Sequence, residues 1–149
     1  MEIIKNKDYV VNNVLIYRNK LRQEEINAIM ARAEEIMKVT DSKINGPVIT
    51  AVHSVKEQIC DFEIIFPLDK AIESSGDFIY KEKFEIVNTL MFRHTGNPQT
   101  MNSEMEEFVR YIKENNLKPV TPFYNITVKG AKTLAEIDDM IVDIYVGIQ

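Results

Sequence analysis

The chain has one cysteine, Cys60, and two histidines, His53 and His94, in 149 residues. A lone cysteine excludes an internal disulfide and fits a reducing compartment. Together these three residues lack the spacing of a zinc site, so no metal is expected. Only five glycines are present, and none forms a phosphate-cradling loop; a nucleophile elbow and a Cys-His signature are also absent. No cofactor is expected. Basic charge is scarce as well, with 18 Lys and Arg against 23 Asp and Glu and a net charge of -5. That excess carries no electrostatic footprint for nucleic acid or an anionic membrane surface. The opening MEIIKNKDY lacks the apolar core of a signal peptide, and no apolar run approaches the length of a membrane span. The expectation is a cytoplasmic protein, in which the Asn125-Ile126-Thr127 glycosylation pattern is accidental.

What is present is one domain's length of chain with 45% apolar residues, enough for a sizeable core. It is organised as a repeat. Val10 to Val52, shifted by 75 positions, lies without a gap on Glu85 to Thr127. Identities fall at Asn13/Asn88, Leu15/Leu90, Arg18/Arg93, Asn27/Asn102, Met30/Met105, Lys38/Lys113, Lys43/Lys118 and Pro47/Pro122. Apolar classes match between them, as in Tyr17 over Phe92 and Ala33 over Phe108. A further segment, FEIIFPL from Phe62, matches VDIYVGI from Val142 once five residues are inserted, and pairs Glu63 with Asp143. The chain is thus expected to be a single domain, 1-149, of two pseudo-symmetric halves at about 9-68 and 78-148. A half of this size would bury little of its own sheet alone.

Each copy predicts a strand, a helix and two further strands. Tyr9 to Arg18 is rich in Val, Ile and Tyr and reads as a strand, and Phe84 to His94 reads as its counterpart. Leu21 to Lys38 has apolar residues at helical spacing, at Ile26, Ile29, Met30, Ala33, Ile36 and Met37, and Met101 to Asn116 repeats that pattern. In the second helix Ser103 and Glu106 resemble a capping box, with Thr100 an equally good cap. The Asn45-Gly46-Pro47 and Pro119/Pro122 clusters end each helix segment in a turn. Strands are then expected at 48-53, 61-68, 123-128 and 139-148, with a helical turn at 134-137. Phe78 to Lys83 reads as a short extra strand.

The ordered set GPVITAVHS, DFEIIFPLDK, FEIVNTLMFRHTGNP, KPVTPFYNITVKG and VDIYVGI resembles the GyrI-like small-molecule-binding domains. This family includes the effector-binding domains of bacterial multidrug-responsive and AraC-type regulators. The resemblance covers the chain from Tyr9 onward and implies an α+β fold. Duplicated strand-helix-strand-strand units would form one curved antiparallel sheet with two main helices and a ligand cleft between the repeats. The family's strand after the Pro122 position usually carries a glutamate and, two residues on, a tyrosine. Those places hold Asn125 and Thr127 here, and Thr50 and Val52 in the first copy, so the carboxylate that attracts lipophilic cations in the relatives is missing at both.

The resemblance and the residues together nominate Asn125, Thr127, Phe123 and Thr50 as polar and aromatic lining of a ligand site. Tyr17 and Phe92 are candidates for stacking walls, with core packing the alternative reading. Glu63 and Asp143, with Tyr145, are acids and an aromatic on apolar strands; they either bind a cationic or amine group or pair with a nearby Lys or Arg. Arg18 and Arg93 read as solvated strand ends.

Three function classes follow. The first is a stand-alone binding protein for a small lipophilic or aromatic compound, cationic ones included, in a sensor or sequestering role; the few residues before Tyr9 leave no room for a helix-turn-helix. The second is an accessory protein that takes a peptide, a protein partner or a second copy of itself. The third is a hydrolase of reactive small compounds, disfavoured because no general base stands where the family places one.

Overall fold

The computed structural model describes all residues, 1–149. The protein is α+β, with eight strands and two main helices, and the strands pair antiparallel within each unit. The chain forms two compact units, Val10–Phe84 and Met1–Tyr9 with Glu85–Gln149.

Val10–Phe84 holds all but the first residue of β2 (Tyr9–Leu21), which leads through a short 3-10 turn into α1 (Ile26–Val39), then β3 (Ile49–Lys56), β4 (Ile59–Pro67) and all but the last two residues of β5 (Phe78–Ile86). The strand order is β3-β4-β2-β5. The apolar stripe of α1 buries Ile29, Ala33 and Met37 against Leu15 and Tyr17 of β2, Phe62, Ile64 and Phe66 of β4, and Phe78 of β5. Each large side chain removed from water there contributes roughly 1.5–3 kcal/mol. The β3–β4 hairpin closes on Glu57 and Gln58, both at positive φ (52° and 68°). Two such residues make the turn whose twist matches the flanking strands.

The second unit repeats the plan with β6 (Thr89–Thr95), α2 (Asn102–Glu114), β7 (Tyr124–Lys129) and β8 (Ile141–Gly147). It adds an edge strand, β1 (Ile3–Lys5), paired antiparallel to β6 with Ile4 opposite Met91. Its order is β1-β6-β8-β7. Phe108 and Ile112 of α2 pack on Leu90 and Phe92 of β6 and on Val142, Ile144 and Val146 of β8. Phe108 meets Phe92 edge-on at 4.9 Å between ring centroids.

The repeat extends to single hydrogen bonds. Asn13 and Asn88 are both left-handed, at φ 57° and 54°. Their carbonyls accept from Leu68 N at 2.7 Å and from Ile148 N at 3.1 Å. Each helix ends in the same double C-cap, with Asp41 and Asn116 at φ 52° and 53°. There Ser42 N donates to Met37 O at 2.9 Å and Leu117 N to Ile112 O at 3.0 Å, which satisfies carbonyls the last turn would leave orphaned.

The elements depart from expectation in four places. Leu21 ends β2 as a buried strand residue, and α1 starts only at Ile26. Phe84 to Ile86 belongs to β5, because left-handed Asn88 breaks the run and β6 starts only at Thr89. The capping box at Ser103 does not form. The cap position is Met101, without a side-chain bond, and the entry turn is held one step earlier, where the Asn97 side chain accepts from Gln99 N at 3.0 Å. Strand β1 was not anticipated, since three residues carry too little pattern to register.

Candidate functional site

Residues directly opposite each other in a ladder share a face. In the second unit, Ile3, Phe92, Ile144 and Asn125 lie in one such row and Val142 and Thr127 in another, on the side covered by α2. The alternate rows, Ile4–Met91–Tyr145–Tyr124 and Arg93–Asp143–Ile126, therefore occupy the helix-free face.

On that face a recess of about 430 Å³ is lined by Glu2, Ile4, Asn6, Met91, Arg93, Asp143 and Tyr145. Its apolar wall is Ile4, Met91 and the Tyr145 ring. Tyr9 stacks on that ring at 4.9 Å with a 52° tilt. Its charged part is one ion pair. Arg93 donates from Nε to Asp143 Oδ1 at 2.7 Å and from Nη2 to Oδ2 at 3.0 Å. The pair forms because the two residues are exact register partners across β6 and β8, which lets a planar guanidinium meet both carboxylate oxygens. The Asp143 carboxylate beside it holds the Arg93 guanidinium above its ordinary pKa. Burial, and then the Asp143 charge, push the Tyr145 phenol up; burial followed by Tyr145 and Asp143 does the same to Tyr9. Both phenols therefore stay neutral through the physiological range.

The nominated residues are divided by the structure. Asp143 and Tyr145 line the recess. Phe92 is wholly buried beneath α2, Phe123 packs against Phe108 at 5.8 Å, and Asn125 and Thr127 lie on the same α2-facing side. In the other unit Tyr17 is a core residue under α1, stacked on Phe78 at 4.9 Å, and Thr50 stands in register with core residue Ile64. Core packing is thus the role the structure gives Tyr17 and Phe92. Glu63 occupies the opposite, helix-free face with Ala51 and Arg18 as its register partners.

Both acids lie on the helix-free face of their unit and both meet a base. Glu63 Oε1 bonds His53 Nε2 at 2.8 Å. The β3 bulge between Val52 and Ser54 sets His53 out of the regular register. Arg18 makes a two-point contact with Asp61 at 3.2 Å, which holds the Asp61 carboxyl below its usual value. Arg18 and Arg93, read from sequence as solvated strand ends, are instead half-exposed members of ion pairs. The usable signal was the repeat itself, in which Arg18/Arg93 and Glu63/Asp143 are matched pairs. Ile4, Asn6 and Met91 had no such signal, because only the pairing of β1 with β6 brings them to Tyr145. His94 is buried elsewhere, its ring bonded to Glu104 and, at 2.9 Å, to the Asn97 carbonyl, which ties β6 to the start of α2.

No family model matches the chain, and no curated protein matches it. Solved structures do. The fold is that of the GyrI-like small-molecule-binding domains that the sequence resembles. The crystal structure of the EcmrR C-terminal domain is similar at TM-score 0.70 and 12% identity, over 100% of this chain and 99% of that one. EcmrR in its DNA complex is similar at TM-score 0.79 and 13% identity over 99% of this chain, which spans 56% of EcmrR's length. SAV2435 bound to tetraphenylphosphonium is similar at TM-score 0.57 and 14% identity, over 99% of this chain and 93% of that one. At these identities the likeness is one of fold.

Proposed function

We propose that this protein binds a small lipophilic or aromatic compound, in a sensor or sequestering role, and that the helix-free recess of the second unit is its site. The observation that carries this reading is the recess itself. About 430 Å³ is the volume of a drug-sized pocket. An aromatic and two aliphatic side chains line one side, and a fixed ion pair with the Tyr145 hydroxyl and the Asn6 amide supplies a few oriented polar groups. Among proteins of the same fold, SAV2435 has been seen with an aromatic compound bound.

The test is a thermal-shift screen with neutral aromatic dyes and aromatic ions of both signs. A ligand at 100 times its Kd adds about 2.7 kcal/mol to native stability, which for a chain of this size raises the melting temperature by roughly 5–10 °C. Tyr145→Ala removes the aromatic wall and should abolish the shift produced by any hit. A hit that survives Tyr145→Ala unchanged would place binding elsewhere.

A further inference from the structure

Each buried acid on a helix-free face is already bonded to a base of its own unit, Glu63 to His53 and Asp143 to Arg93. In the recess the two partners are unequally exposed. The Asp143 side chain is 7% exposed and the Arg93 side chain 53%. Two of the three guanidinium nitrogens bond the carboxylate, so the group is fixed in place while half of it stays open. A molecule entering the recess meets the cation first and the carboxylate behind it.

We infer that the recess selects a lipophilic or aromatic anion, of the carboxylate or sulfonate class, over a cation of equal size, with Arg93 as the specificity-determining residue. This rests on reading the recess as the small-molecule site. A cation seeking Asp143 must displace Arg93, break two charge-assisted bonds and leave a second positive group in the same small space. An anion keeps the Arg93–Asp143 pair intact and adds an acceptor to the open side of the guanidinium, with the Tyr145 phenol, which already accepts a side-chain hydrogen bond from Asn6, as a further donor. Glu2 is the other acid at the recess; it is exposed, and solvent and salt screen it.

The size of the preference follows from an ion about 6 Å from the guanidinium and about 9 Å from the carboxylate, at an effective dielectric near 20. That geometry favours an anion about fivefold and disfavours a cation about equally, or roughly 20-fold between the two.

Tetraphenylborate and tetraphenylphosphonium share one shape and carry opposite charges. Titration calorimetry of both ions at low salt, against the full chain, is the experiment. The wild type should bind the borate roughly 20-fold more tightly. Arg93→Gln should reverse the order. Arg93→Gln/Asp143→Asn, which removes both charges and keeps an amide pair, should bring the ratio to about one; it also serves if the single variant does not fold. Equal or tighter binding of the phosphonium by the wild type overturns the inference and leaves the binding reading standing. So does a ratio that neither variant changes. No binding of either ion or of a neutral aromatic dye overturns both.

Discussion

Asn88 allows a backbone effect to be separated from a side-chain one. Its φ of 54° lies in the left-handed region, where a residue with a Cβ costs roughly 1–2 kcal/mol and asparagine is better tolerated than most. Its side-chain amide also donates to Ile148 O at 2.8 Å, a bond with a net worth of about 1 kcal/mol. Asn88→Ala loses the bond and incurs the full left-handed cost, so stability should fall by about 2–3 kcal/mol. Asn88→Gly loses the same bond and pays in unfolded-state entropy, but has no steric penalty, and should cost about 1.5–2 kcal/mol. The usual order, in which alanine is the safer replacement for a residue in a strand region, is therefore inverted. Urea unfolding followed by circular dichroism measures both, provided the slopes with denaturant match. The same inversion is expected at Asn13, whose φ is 57° and whose side chain accepts from the Tyr80 hydroxyl. Asn88→Ala as stable as Asn88→Gly would refute the claim that this bend is held by left-handed geometry.

Phe108→Ala should cost about 3–5 kcal/mol in the same assay, because the ring is fully buried between Phe92 and Phe123. Tyr17→Ala should be destabilising to a similar degree, since the ring sits under α1 against Phe78, and any change in ligand affinity should scale with unfolding rather than with lost contact. Asn125→Ala, on the α2-facing side, should leave ligand affinity unchanged in a titration where Tyr145→Ala abolishes it. Tyr9 and Tyr145 have phenol pKa values raised above 10.0 by burial. The unfolded chain then loses these protons first as pH rises, so stability is full below about pH 10 and declines above it. Tyr9→Phe/Tyr145→Phe should flatten that alkaline decline in denaturant midpoints measured from pH 8 to 11.

Some of this protein is legible in its residues and some is not. The helices could be read because Ile29, Ala33 and Met37 and their counterparts Phe108 and Ile112 recur at helical spacing, and that local period is written in the sequence. Matched positions of the sequence, such as Asn13 and Asn88, adopt the same left-handed backbone. The α+β class could be read as well. Which face of a strand looks where is a different matter. Tyr17, Phe92, Asn125 and Thr127 alternate correctly with their neighbours, yet period two names two faces and does not say which one a helix covers. The packing of α1 and α2 settled that, and put those residues on the covered sides. The partner of a buried charge was likewise undetermined until cross-strand register set Arg93 opposite Asp143 and a bulge moved His53 to Glu63. Spacing along a chain fixes what repeats locally; pairing between strands far apart in sequence depends on ladder register, which only the folded sheet supplies.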